Sequence, residues 1–147
     1  MLQLRLLPSI EKTVVGAEPS AGIAAASALW EERFSFQAVC RYDAAADEEH
    51  FVYRGLTLSG DPRLTGSAEL FLQQPVSVGL ACYPESDGDP DYLTHDPALI
   101  PDALLPLPHS QLSPDSELPL PSGQWIGIWL TVTVPTGLPG GEYALTV

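Results

Sequence analysis

Between Gln124 and Val134 the chain alternates without a break: Ile126, Ile128, Leu130, Val132 and Val134 at even positions, Trp125, Gly127, Trp129, Thr131 and Thr133 at odd ones. Successive side chains of a strand point to opposite faces, so this period predicts a long strand with an aliphatic core face. Such a strand needs partners, and the same alternation recurs upstream. It predicts strands over Leu2–Leu7, Arg33–Tyr42, His50–Leu58, Ser67–Gln73 and Val76–Tyr83, with a last strand at Glu142–Val147. Ser59-Gly60-Asp61-Pro62 and Pro135–Gly141 carry turn chemistry between them. Fifteen prolines and twelve glycines in 147 residues interrupt helices and exclude a helix bundle. The expectation is one all-β domain over residues 1–147, a β-sandwich of immunoglobulin-like or jelly-roll-like type with little helix. Two stretches fit less simply. Ala-rich Ser20–Leu29 has helix propensity, opposed by Gly22 and a lack of caps. Pro84–Gly123 reads as a long irregular region, the kind of loop that is functional or interface-forming.

Charge and composition exclude several classes of function. Six Lys and Arg against nineteen Asp and Glu leave a formal net charge of −13. A phosphate backbone is bound mainly through Lys and Arg, so neither nucleic acid nor an anionic membrane surface is an expected partner. The apolar runs are too short for a membrane-spanning helix. Residues 1–12 have too short an apolar stretch for a signal peptide, which makes the cytoplasm the default expectation. Cys40 and Cys82 each fall in the apolar phase of a predicted strand, as small buried hydrophobes or as a pair if the strands face closely. Their spacing suggests no zinc site.

Candidate chemistry is sparse. Asp87, Asp89 and Asp91 alternate as in a calcium loop, with Asp96 nearby, but the positions where an EF-hand needs Gly and Glu hold Tyr92 and Ala98. A solvated loop is the expectation, and no cofactor is called for. His50, His95 and His109 are scattered, and no nucleophile elbow exists. Glu31-Glu32 and Glu48-Glu49 are sequence neighbours, which point to opposite faces of a strand and make poor acid/base pairs. Trp125 and Trp129 are the binding or interface candidates. They lie on the face opposite the aliphatic one, about 13 Å apart. That spacing allows stacking on separated sugar rings. It equally allows burial under the Pro84–Gly123 region or against a following domain.

Three segments in order resemble the N-terminal β-sandwich domain that precedes the catalytic barrel in bacterial proteins similar to glycoside hydrolase family 123. They are Glu32-Arg33-Phe34-Ser35-Phe36-Gln37, then Ile100-Pro101-Asp102-Ala103-Leu104-Leu105-Pro106-Leu107, then Trp129 with Pro135 and Gly141-Glu142-Tyr143. Each has a physical reading of its own. Tyr143 suits a tyrosine corner, its hydroxyl reaching backbone just upstream. Pro101 and Pro106 fix φ around a Leu pair able to plug a core opening. The Gln37 amide can pair with a neighbouring backbone group. The resemblance implies hydrolysis of an N-acetylhexosaminide, assisted by the substrate's acetamido group, with the acid pair in the barrel; no residue here matches that pair. The expected role is therefore a non-catalytic accessory domain, the N-terminal part of a longer protein, with the catalytic domain as its partner in cis. Two alternatives stand beside it: a stand-alone carbohydrate-binding module using Trp125 and Trp129, and a sandwich that binds a protein partner at a strand edge. The chain stops inside an apparent strand, so one strand of the sandwich is expected from beyond Val147.

Overall fold

The structure is a computed structural model that describes residues 1–20, 22–79 and 96–147. Nine strands are present among the described residues: β1 (Leu2–Pro8), β2 (Arg33–Tyr42), β3 (Phe51–Leu56), β4 (Ser59–Gly60), β5 (Glu69–Val78), β6 (Ala98–Leu107), β7 (Ser113–Pro121), β8 (Trp125–Thr133) and β9 (Leu145–Thr146). One short helix, α1 (Pro62–Thr65), and a 3-10 turn at His109–Gln111 complete the order. Five strands form an antiparallel sheet in the order β1-β2-β8-β5-β6, and β3-β7 and β4-β9 form two-stranded pieces. The architecture is an all-β sandwich, as the alternation predicts.

Register follows the pattern read from the sequence. Phe36 pairs with Leu130 and Leu130 with Leu70; Ala38 pairs with Ile128 and Ile128 with Leu72. These rows form the inner face, where Phe36, Ala38, Leu70, Ile128, Leu130 and Val132 are buried with Leu64, Ala68 and Leu138. Leu56, Leu112 and Leu118 from the β3-β7 side pack against them. The alternate rows form the outer face: Gln37 pairs with Trp129, and Trp129 with Phe71. Residues 9–19 cross this outer face as a strap, which buries β2 and β8 on both sides.

Four readings from the sequence are revised. The region Pro84–Gly123 is not irregular over its described part, because it contributes β6 and β7. Their prolines are tolerated because β6 is the sheet's edge and β7 pairs with β3 alone, so ladder donors are needed on one side only. Leu104 and Leu105 do not plug a core opening; they are 42% and 50% exposed on that edge. The described residues of Ser20–Leu29 are not helical. Ile23 donates its N–H to the Leu6 carbonyl, and a Cβ at Gly22 would lie 2.8 Å from the same oxygen, so packing against β1 overrides propensity. The two strands expected at Ser67–Gln73 and Val76–Tyr83 are one strand to Val78, irregular at Gln74 and Pro75; Leu80–Tyr83 lie outside the described residues.

Candidate functional site

The residues singled out from the sequence fall into two groups. Gln37, Asp102, Trp125 and Trp129 belong to the outer face; Glu32, Pro135, Gly141 and Tyr143 belong to the opposite end of the sandwich.

On the outer face the two tryptophans have different fates. Trp125 is only 3% exposed, packed with Leu7 and Val39. The Arg5 guanidinium lies 5.2 Å from its ring centroid, a cation–π contact. Trp125 is thus covered within the domain and presents no open ring face at the surface. Trp129 is half-buried, and its Nε1 donates to Thr131 Oγ1 at 3.0 Å. Gly127 lies between them for a steric reason. A Cβ there would sit 1.8 Å from Gln73 Oε1, so the glycine makes room for a buried amide between the indoles.

That amide belongs to a relay anchored on the strap. Gln37 Nε2 donates to the carbonyls of Pro8 and Glu11, each at 2.8 Å. Two acceptors fix the Gln37 amide, and its Oε1 must then accept from Gln73 Nε2, at 2.7 Å. Lys12 Nζ reaches Asp102 Oδ1 at 2.5 Å and ties the strap to β6. Val15 donates to the Leu99 carbonyl, and Arg5 and Arg41 both pair with Glu18. Between these groups lies a small niche of about 150 Å³ bordered by Trp129, Leu104, Gln37, Gln73, Glu11, Lys12 and Asp102.

At the opposite end lies a larger open groove of about 910 Å³. Its floor is the inner core itself: Phe34, Phe36, Leu64, Val132 and Leu138. Its walls are the non-helical stretch 23–28 and the stretch 138–145. Tyr143 Oη donates to the Pro139 carbonyl at 2.7 Å, the bond of a tyrosine corner, and Gly141 and Tyr143 line the wall. Glu32 Oε2 accepts the Leu29 N–H at 2.7 Å, and the Glu32 carbonyl accepts from Val134, just before Pro135. Trp30, which the sequence reading passed over, stands in this wall at 60% exposure, its Nε1 donating to the Leu138 carbonyl at 2.6 Å. The signal for it was a large aromatic outside every predicted strand.

Acid–base chemistry has little purchase among the described residues. Glu48 is held below its ordinary range, first by the Ala45 N–H and then by the Tyr42 hydroxyl, which is the work of a turn. Asp43 is lowered chiefly by its bond to Arg41. Burial pushes the Cys40 thiol up to about 11, which keeps it protonated and unreactive at neutral pH. No group of three or more His, Cys, Asp or Glu is gathered around a common point among the described residues. Asp87, Asp89, Asp91, Cys82 and His95 lie outside the described residues.

Comparison of the coordinates with solved structures gives a match over 97% of the chain, with a TM-score of 0.65 and 9% sequence identity. The fold resembles one part of a family 123 glycoside hydrolase. The hydrolase is from Clostridium perfringens, and its structure was analysed for the hydrolysis of glycolipid glycans. The match spans 23% of that enzyme's chain. No protein-family model and no curated protein matches the sequence. At this identity what is shared is the fold.

Proposed function

We propose that this chain is a non-catalytic sandwich domain of a larger carbohydrate-active protein, a glycoside hydrolase acting on N-acetylhexosaminides, with a catalytic domain beside it in the same polypeptide. The observation that supports this most is the pairing of coverages, nearly all of this chain against under a quarter of the hydrolase. Among the described residues, β2 and β8 are covered on both sides, and the two carboxylates that border the niche are engaged, Glu11 by Ser20 and Asp102 by Lys12, which suits scaffolding better than hydrolysis. The carbohydrate-binding alternative loses its two-ring platform, since Trp125 is inside; Trp129 is the remaining outer-face candidate for contact with a neighbouring domain or a glycan.

Assay of the isolated chain tests the reading. It should not turn over chromogenic N-acetylgalactosaminides or N-acetylglucosaminides, while the protein encoded by the complete reading frame should. Turnover by the isolated chain that one Asp or Glu substitution abolishes would overturn it.

A further inference from the structure

The strap over the outer face is clamped at its base and loosely held along its length. At the base the Glu11 carboxylate accepts the Ser20 N–H at 2.7 Å and the Ser20 hydroxyl at 2.5 Å. The base is also fixed to the sheet, since Gln37 holds the Glu11 carbonyl and Arg5 Nη1 donates to the Pro19 carbonyl at 2.9 Å. Residues 12–18 therefore leave and return at one place, as an Ω-loop does. Past the base, two kinds of bond tie them to the sheet. One is a main-chain bond, from the Val15 N–H to the Leu99 carbonyl at 3.1 Å. The other is a set of ion pairs on solvent-exposed carboxylates, Asp102 with Lys12 and Glu18 with Arg5 and Arg41. Pairs of that kind contribute little to stability.

What the loop buries works against it. Thr13 is 5% exposed, and its hydroxyl has no hydrogen-bond partner. Two more buried polar atoms without partners, Gln73 Oε1 and Trp125 Nε1, belong to the face that the strap crosses. A buried polar group without a partner carries a desolvation cost that hydration returns. Lifting the loop hydrates the Thr13 hydroxyl, breaks one main-chain bond to the sheet and leaves the strand ladders intact. Little apolar surface opposes the movement: Gly16, Ala17 and Glu18 are exposed, and Val14 and Val15 are half-buried.

We propose that residues 12–18 are a hinged flap that swings off the outer face as one unit, while the Glu11–Ser20 clamp and the sheet stay in place. Lys12 borders the niche beside Trp129 and closes on Asp102, so the movement opens that niche and the Gln73 amide on its border. The proposal stands apart from the hydrolase reading, because it requires only the strap.

Amide hydrogen exchange of the full 147-residue chain, followed by NMR in sub-denaturing urea, tests it. The Val15 N–H should exchange through an opening that urea scarcely affects, because the flap exposes little surface. The buried Gln37 side-chain amide, which holds the base, should instead exchange with steep urea dependence, as the Ala38 and Val39 N–H groups of β2 do. Thr13→Val removes the unpartnered hydroxyl and keeps the shape, so it should slow Val15 exchange about fivefold or more. High salt should quicken that exchange about two- to fivefold by screening the ion pairs. Val15 exchange as steep in urea as that of β2 would make the loop part of the core and overturn the proposal. Val15 and Gln37 opening together would mean that the strap peels from its base, which overturns it equally. So would faster Val15 exchange in Thr13→Val, or exchange indifferent to salt.

Discussion

On the outer face, Trp125 is 3% exposed beneath Arg5 and the strap, whereas at the groove Trp30 is 60% exposed beside bare core side chains. Both regions combine an indole, aliphatic neighbours and backbone groups in need of partners. On the outer face the Pro8 carbonyl at the end of β1 and the Glu11 carbonyl of the strap meet the Gln37 amide, and the surface closes. At the groove no segment crosses the core side chains of its floor, and the surface stays open. What separates a sealed face from an open one here is whether a chain segment crosses it and brings hydrogen-bond partners, not how apolar the side chains are.

The largest expected effect breaks or keeps that contrast directly. Trp125→Ala removes an indole from a packed site and should cost about 3–5 kcal/mol of stability. Trp30→Ala removes an exposed ring and one hydrogen bond, and should cost about 0.5–1.5 kcal/mol. Denaturant midpoints of the two variants decide it, since similar losses would mean the two regions are equally part of the core.

Next comes the glycine between the tryptophans. Gly127→Ala places a methyl where Gln73 Oε1 lies and should cost about 2–3 kcal/mol by displacing the buried amide. Adding Gln73→Ala empties that space, so the second substitution should cost less in the Gly127→Ala background than in the parent chain. Additive losses would show that the amide does not set the glycine.

Much of the sheet was legible because it obeys one rule. β1, β2 and β8 alternate cleanly, and the register that buries Leu130 and Ile128 follows from it. β6 and β7 were hidden because Pro101, Pro106, Pro114, Pro119 and Pro121 read as loop, and only their position at open edges makes strands of them. The strap was illegible for another reason. Residues 9–19 have no period, and their role depends on Gln37 and Gln73, two polar residues in strands that no pattern links before the sheet is assembled. The groove was illegible for a related one, since Ala-rich sequence names helix while the contact of Gly22 and Ile23 with β1 keeps the stretch out of one.

A smaller effect sharpens the groove side. Tyr143→Phe deletes the bond to the Pro139 carbonyl and should cost about 1 kcal/mol, because the bond is solvent-accessible. Its clearer signature is local: exchange should quicken along 139–144 and stay unchanged in β1 and β2. Uniform acceleration would mean that this wall opens only when the whole domain does.

The smallest effect is reached with acid. Asp61 caps α1, accepting the Arg63 N–H at 2.9 Å and pairing with its guanidinium at 2.6 Å. The Arg63 side chain first, and its backbone N–H second, lower the Asp61 carboxyl from an ordinary 3.8 to about 2. A carboxylate whose folded value is depressed adds stability that is fully present above its unfolded value and is lost as pH falls through the folded one. The window is therefore about pH 4 down to about pH 2, and the group is solvent-facing, so the global change should be slight. α1 carries Leu64 into the groove floor, which gives the loss a place. Titrating the domain through that window should disturb Leu64 and the groove floor before Trp125, and Asp61→Asn should remove that early step. If Trp125 and Leu64 respond together in both proteins, the two faces of the sheet share one stability, and the contrast between them is one of exposure alone.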